Sequence, residues 1–293
     1  MTILQAIFLG LVQGLTEFIP VSSTAHLVFA ARIVNLYGGT DKTLQAEQTT
    51  ATIAVVQLGT LLAVLIYFAP DIVNILRAFI KDHLAWFSGR VDPRQPKLTK
   101  DAWLGWLVII GSIPVGVIGL LFKKQIEGTF TKNLWVIATM MIVVGVLLMI
   151  AEIVSKHQRD MNQLRVSDAI IVGSAQCLAL IPGSSRSGST IMGGLFAGLK
   201  RETAARFSFL LSIPAVAASG LLELKEAVHK LPHGSYGSLA VATIVAGIVG
   251  YASIWFLLRY LRTHSTSLFI VYRVIVGGAI LAALVGGYIS AST

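Results

Sequence analysis

Six apolar runs of about twenty residues recur along this chain, at 48–68, 103–122, 134–154, 203–224, 239–259 and 268–289. As a helix, each reaches roughly 30 Å, the thickness of a bilayer's hydrocarbon core. Backbone polar groups in hydrocarbon must be paired within the protein, so runs of this length predict transmembrane helices. The composition agrees: of 293 residues 55% are hydrophobic and 13% charged, against roughly 25% charged in soluble domains. The fold class expected is an all-α polytopic membrane protein.

Two further apolar segments, 3–36 and 168–199, are interrupted by polar turns containing Gly and Pro. Each arm holds about 12–17 residues and reaches about 18–25 Å, short of a full crossing. The expectation is therefore six spans plus two re-entrant helix hairpins. Irregular backbone at that depth survives where protein or a watery cavity covers it. Residues 71–87 form a different element. Ile72, Ile75, Leu76, Phe79, Ile80 and Leu84 share a helical face, with Arg77, Lys81 and Asp82 off it. This predicts an interfacial amphipathic helix, followed by a polar loop over 89–101.

The net charge of +9 sits between the apolar runs, as topogenic charge and anionic headgroups require. No basic patch interleaved with aromatics points to nucleic acid. With both hairpins re-entrant, the side bearing the N-terminus carries Arg32, Lys42, Lys123, Lys124, Lys132, Lys225 and Lys230. The other side carries twice as many: six from Arg77 to Lys100, three from Lys156 to Arg165, three from Lys200 to Arg206, and Arg259 with Arg262. The positive-inside rule makes this second side cytoplasmic and puts both termini outside. The N-terminus is not a typical secretory signal, since no Lys or Arg precedes Arg32. Cys177, the single cysteine, excludes a disulfide framework and reads as a small buried hydrophobe.

The interrupted segments resemble each other. "QGLTEFIPVSSTAH" (13–26) sets Gln13 before Pro20, Ser22 and Ser23; "QCLALIPGSSRSGST" (176–190) sets Gln176 before Pro182, Ser184 and Ser185. Three long runs follow each copy. The chain is expected to be a single membrane domain, 1–293, made of repeat 1 (1–154) and repeat 2 (165–293) joined by a charged linker. An odd number of spans per repeat inverts the second copy, so the two hairpin tips can meet near the midplane.

In each tip Ser precedes a helix, where free N–H groups and the helix dipole attract anions. One such turn alone reads as packing; two convergent turns with added charge read as an anion site. Counted from proline, Thr24 stands opposite Arg186 and His26 opposite Gly188. Gln13 and Glu17 are four apart on one helical face. Arg186 suits phosphate oxygens or an ion pair with Glu17. Glu17 and His26 suit proton transfer, and Ser22 or Ser23 could supply a nucleophilic hydroxyl or a cap. Gln57 and Arg273 are weaker candidates to face the site, Arg273 being equally able to snorkel.

These motifs, (E/Q)xxxE followed by PVSST and a histidine, and PGxSRSxxT, resemble the two signatures of the undecaprenyl-diphosphatase family, the bacterial bacitracin-resistance phosphatases. "VVQLG" and "FSFLLSIP" also resemble family segments, and the likeness spans nearly the whole chain. The resemblance implies a hydrolase of the bacterial cytoplasmic (inner) membrane. It would convert undecaprenyl diphosphate to the monophosphate and inorganic phosphate, recycling the lipid carrier of peptidoglycan synthesis. By position it implies Glu17 as the catalytic acidic residue, Ser23 as the proposed nucleophile, His26 as the motif histidine and Arg186 as the phosphate-binding arginine. Ser22, Ser185, Ser187 and Thr190 lie beside them, with Gln13, Gln57 and Arg273 as further substrate-binding candidates. It also implies a divalent cation, Mg2+ or Ca2+. Glu17 is the candidate ligand, because Gln13 stands where other members carry a glutamate. Membrane lipids and a homodimer are the other partners expected. The attacking group stays open between Ser23, His26 and water. A lipid flippase or transporter using the same inverted-repeat site is the alternative, and a structural scaffold the third reading.

Overall fold

The computed structural model describes residues 1–38, 41–88, 98–122, 133–231 and 235–291, with the side chains of 42–43, 219 and 221–230 also left undescribed. Most of the polar loop expected at 89–101 lies outside these residues. So do several cations of the charge count, among them Lys123, Lys124 and Lys132.

Among the described residues every named element is helical. They are α1 (Ile3–Phe18), α2 (Ser23–Ile33), α3 (Lys42–Tyr67), α4 (Ala69–Phe87), α5 (Lys100–Leu121), α6 (Leu134–Val154), α7 (Val166–Gln176), α8 (Arg186–Phe196), α9 (Arg201–Lys230), α10 (Tyr236–Tyr260) and α11 (Ser267–Val285). Five of these, α3, α5, α6, α10 and α11, are long and apolar enough to cross a membrane. The run expected at 203–224 lies inside α9, a helix of 30 residues. A chain with this many apolar helices is a multi-pass membrane protein.

Both interrupted segments are pairs of short helices packed on one another, α1 on α2 and α7 on α8. The breaks have local causes. Pro20 and Pro182 lack the N–H that a continuing helix would need, and a 3-10 turn, Cys177–Leu180, precedes the second break. Each hairpin leans on a helix from the other half of the chain: α1 packs on α10, and α7 on α5. Small residues allow this approach. At Gly14 a side chain would run into Val249 and the Ala246 carbonyl of α10.

The remaining contacts build a bundle around the hairpins. Helix α3 packs on α9, α6 on α11, α3 on α10, and α9 on α5 and α8. The largest buried cluster includes Phe18, Phe68, Phe207 and Phe209. The Phe18 and Phe209 rings meet edge to face at 5.3 Å. That contact seats the end of α1 against α9, just before the first turn.

The amphipathic helix is present as α4, with Pro70 in its first turn separating it from α3. Its apolar residues divide between α5 and the exterior rather than forming one stripe. Ile75 and Phe79 close over Gly105 of α5, and His83 accepts from Trp106 Nε1 at 3.1 Å. Val73, Leu76, Ile80, Leu84 and Phe87 stay exposed, at the spacing of a second helical face. The linker is pinned. Arg159 holds Asp168 through both guanidinium nitrogens at 2.8 and 2.7 Å and also donates to the Ala197 carbonyl.

Candidate active site

The two turns bring their helices to a common centre with related geometry. Ser22 caps α2, its Oγ accepting from Ala25 N at 3.5 Å. Ser185 caps α8, its Oγ accepting from Gly188 N at 3.2 Å. Both serines have positive φ, 78° and 66°, values that cost a non-glycine residue about 1–3 kcal/mol. Strain repeated at two caps marks equivalent positions.

The caps correct the register obtained by counting from proline. The second turn has one more residue between proline and cap, because Gly183 (φ 92°) adds a left-handed step. Counted from the caps, Ser23 stands opposite Arg186 and His26 opposite Ser189. Gly183 admits no substitute, since a Cβ there would run into the main chain of Ile137.

Glu17 and Arg186 join the hairpins. Arg186 Nη2 donates to Glu17 Oε1 at 2.6 Å, and Gln13 Nε2 donates to Glu17 Oε2 at 3.0 Å. Gln13 and Glu17 are 1% and 6% exposed, so the i, i+4 spacing does present them inward together. A second strand of contacts runs beside the ion pair: Ser187 Oγ donates to the Ile19 carbonyl at 3.3 Å and lies 3.1 Å from Ser185 Oγ.

Arg273 holds both turns from behind. It is fully buried, neither snorkelling nor exposed in the cleft. Nη1 donates to the Pro20 carbonyl at 3.3 Å, and Nη2 to the carbonyls of Gly183 and Ser184, each at 3.0 Å. Nε reaches Met141 O on α6 at 3.0 Å. One guanidinium thus ties the first turn, the second turn and α6 to α11. The tips gather two guanidinium groups against one carboxylate, a balance suited to an anion.

Several buried polar atoms of these hairpins have no partner: Arg186 Nη1, Ser184 Oγ, Ser189 Oγ, Gln13 Oε1 and both side-chain polar atoms of Gln176. Buried polar groups are ordinarily paired, and a cluster of exceptions marks a place where something else binds. Arg186 uses Nη2 on Glu17 and keeps Nη1 available. The ion pair therefore does not exhaust the arginine.

Other expected residues lie at varying distance from this centre. Ser23 opens α2 and is half-buried. His26 is turned toward α11: its Nδ1 meets the Ser22 carbonyl at 2.7 Å and its Nε2 the Tyr272 hydroxyl at 2.6 Å. A carbonyl only accepts, so Nδ1 carries the proton and Nε2 accepts from Tyr272. Thr190 is buried with its hydroxyl donating to the Arg186 carbonyl at 2.7 Å and against Ser208 on α9, which anchors α8. Gln57 is half-buried on α3, where its carbonyl accepts from Thr60; no described hydrogen bond links its side chain to Glu17 or Arg186. Three participants escaped sequence reasoning: Thr60, 3.3 Å from Gln13 Nε2, Tyr272 and Ser208. Each is a lone hydroxyl in an apolar run, a weak signal by itself.

For a divalent cation the donor set is small. Among the described residues no group of three or more His, Cys, Asp and Glu is placed to hold a metal ion. Glu17 alone fits the mode in which Mg2+ takes one carboxylate and completes its shell from phosphate oxygens and water.

Fold and site define a polytopic helical membrane protein in which two helix-hairpin tips meet around the Glu17–Arg186 ion pair. Residues 6–279 match the model of the family described as bacitracin resistance protein BacA, and the chain belongs to that family. Similar relatives are the undecaprenyl-diphosphatases of Syntrophobacter fumaroxidans (50% identical, covering 96% of this chain and 97% of the relative) and of Mycolicibacterium smegmatis (47%, covering 99% and 100%). That of Myxococcus xanthus is 48% identical over 99% of this chain and 92% of its own.

Proposed function

We propose that this protein hydrolyses undecaprenyl diphosphate to undecaprenyl phosphate and inorganic phosphate. The observation that carries this reading is Arg186: it is held by Glu17 through Nη2, with Nη1 buried and unpaired at the N-terminus of α8. The terminal phosphoryl group would lie between the tips, accepting from Arg186 Nη1 and from the free N–H groups that open α2 and α8. Attack at its phosphorus breaks the bond to the bridging oxygen, which leaves with the lipid monophosphate. Overall one water is consumed. Glu17 would take a proton from the attacking hydroxyl or water. It is also the residue that would hold a divalent cation, whose chemistry is to neutralise charge developing on the phosphate oxygens.

The names of the relatives favour a phosphatase over a flippase. We further infer that the chain is one domain of two inverted repeats, with α1–α2 and α7–α8 re-entrant and α9 completing six spans. The contacts support this by occurring in pairs: α1 with α10 matches α7 with α5, and α3 with α10 matches α9 with α5. The cytoplasmic side is the one gathering Arg206 with Asp71, Arg262 with Glu202, and Arg201 with Glu152. In this orientation the site opens outward from a bacterial inner membrane. The experiment is phosphate release from a prenyl diphosphate by purified protein in detergent micelles. A catalyst works without a sealed membrane; a protein that only transports lipid releases nothing.

A further inference from the structure

Hairpin 1 and hairpin 2 differ in how closely their second helices approach the bundle. Helix α8 packs directly on α6, with Gly183 against Ile137. In the repeat reading the corresponding pair is α2 and α11, and these stand farther apart. Between them and α1 lies a groove of about 280 Å³, lined by Phe8 and Val12 of α1, His26, Phe29 and Ile33 of α2, and Tyr272 and Val276 of α11, among others.

We propose that this groove seats the head-proximal isoprene units of the lipid substrate, an inference that rests on the phosphatase reading above. On each of its three walls the lining lies within a few residues, along the chain, of the candidate active site. Along α2, His26, Phe29, Ala30 and Ile33 form an i, i+3, i+4, i+7 stripe that begins one turn from Ser23. On α1, Val12 adjoins Gln13 and precedes Glu17 by five residues. On α11, Tyr272 adjoins Arg273. Helix α2 thus offers an anion-binding N-terminus and, running from it, an apolar strip: the two chemistries of a prenyl diphosphate in their order along the molecule. The hydrogen-bonded His26–Tyr272 pair marks the change from polar to apolar. A groove this small holds only the start of a long prenyl chain and leaves the rest in lipid. The enzyme would therefore read the first units and ignore total length.

The test uses the full-length protein in micelles and a farnesyl diphosphate bearing a diazirine in its first two isoprene units. Photolysis should label peptides carrying Phe8–Val12, Phe29–Ile33 or Tyr272–Val276, and excess unlabelled farnesyl diphosphate should suppress that labelling. Labelling confined elsewhere, or labelling here that the competitor leaves untouched, overturns the proposal. Val276→Trp should lower kcat/KM for farnesyl diphosphate at least tenfold, mainly through KM, with Ala30→Leu as a milder obstruction should the tryptophan protein fail to insert. Unchanged kcat/KM in an inserted variant also counts against the groove. Phosphate release by the unmodified protein reports separately on the phosphatase reading: release with labelling elsewhere defeats only the groove, and competed groove labelling without release defeats only the phosphatase.

Discussion

At the scale of single residues, charge and hydrogen bonding separate the groups that build the site from those placed to act in it. On the phosphatase reading proposed above, Arg186→Ala removes the donor to the phosphate, and loss of one such donor costs roughly 10²–10³ in rate. Phosphate release should fall by at least that much, and a fully active variant would refute the model. The same change leaves Glu17 buried and uncompensated, which costs about 3–5 kcal/mol and should lower Tm in detergent. Glu17→Gln with Arg186→Met removes both charges. It should regain most of the lost Tm while remaining inactive, so one double variant separates stability from catalysis. Arg273→Lys is argued differently. An ammonium is a point donor with three protons, whereas the guanidinium spreads five in a plane. Lysine cannot hold the carbonyls of Pro20, Met141 and Gly183 together, so Tm and phosphate release should fall in parallel.

At the scale of elements, the two turns carry the site, and their backbone is more demanding than their side chains. Ser185→Ala loses one cap hydrogen bond and should cost about 1 kcal/mol. Gly183→Ala meets both a left-handed φ and the Ile137 main chain, so its cost should exceed that of Ser185→Ala; thermal unfolding of the two proteins gives the order. The same turns show how far the sequence was legible. Proline, the cap serines and the Gln13–Glu17 spacing are local signals, and they place the two helix breaks and the inward carboxylate correctly. The cap register was off by one, because only the backbone reveals that Gly183 adds a step. Arg273 was ambiguous for a deeper reason: its partners are main-chain carbonyls from three distant segments, which leave no trace in residue type. His26 was legible as a polar residue of the first tip, but its turn toward Tyr272 depends on how far α2 stands from α11. The apolar face of α4 was visible, whereas its division between α5 and the exterior required the neighbour to be known.

At the scale of the whole molecule, the proposed orientation rests on where the cations gather. Helix α11 gives the cleanest test, because Thr263 lies four residues before its first residue and Ser290 five residues beyond its last. Arg262, next to Thr263, pairs with Glu202. Arg201, on the same α9 terminus, binds Glu152 through Nε at 2.6 Å, and Glu152 in turn accepts from Thr266. These contacts put the start of α11 among the basic groups that the positive-inside rule assigns to the cytoplasm. In the orientation proposed above, α11 crosses once and leaves Ser290 outside. Cys177→Ala supplies a cysteine-free background, since that thiol makes only a 3.6 Å contact with the Gly173 carbonyl. In it, Ser290→Cys should react with a membrane-impermeant maleimide in intact cells and Thr263→Cys only after permeabilisation. The opposite pattern would turn the molecule over and place the tips' opening on the cytoplasmic face, where hydrolysis would act on lipid diphosphate before it crosses the membrane. Labelling of both positions in intact cells would mean that α11 does not span, and the inverted repeat would lose the odd number of crossings on which it depends.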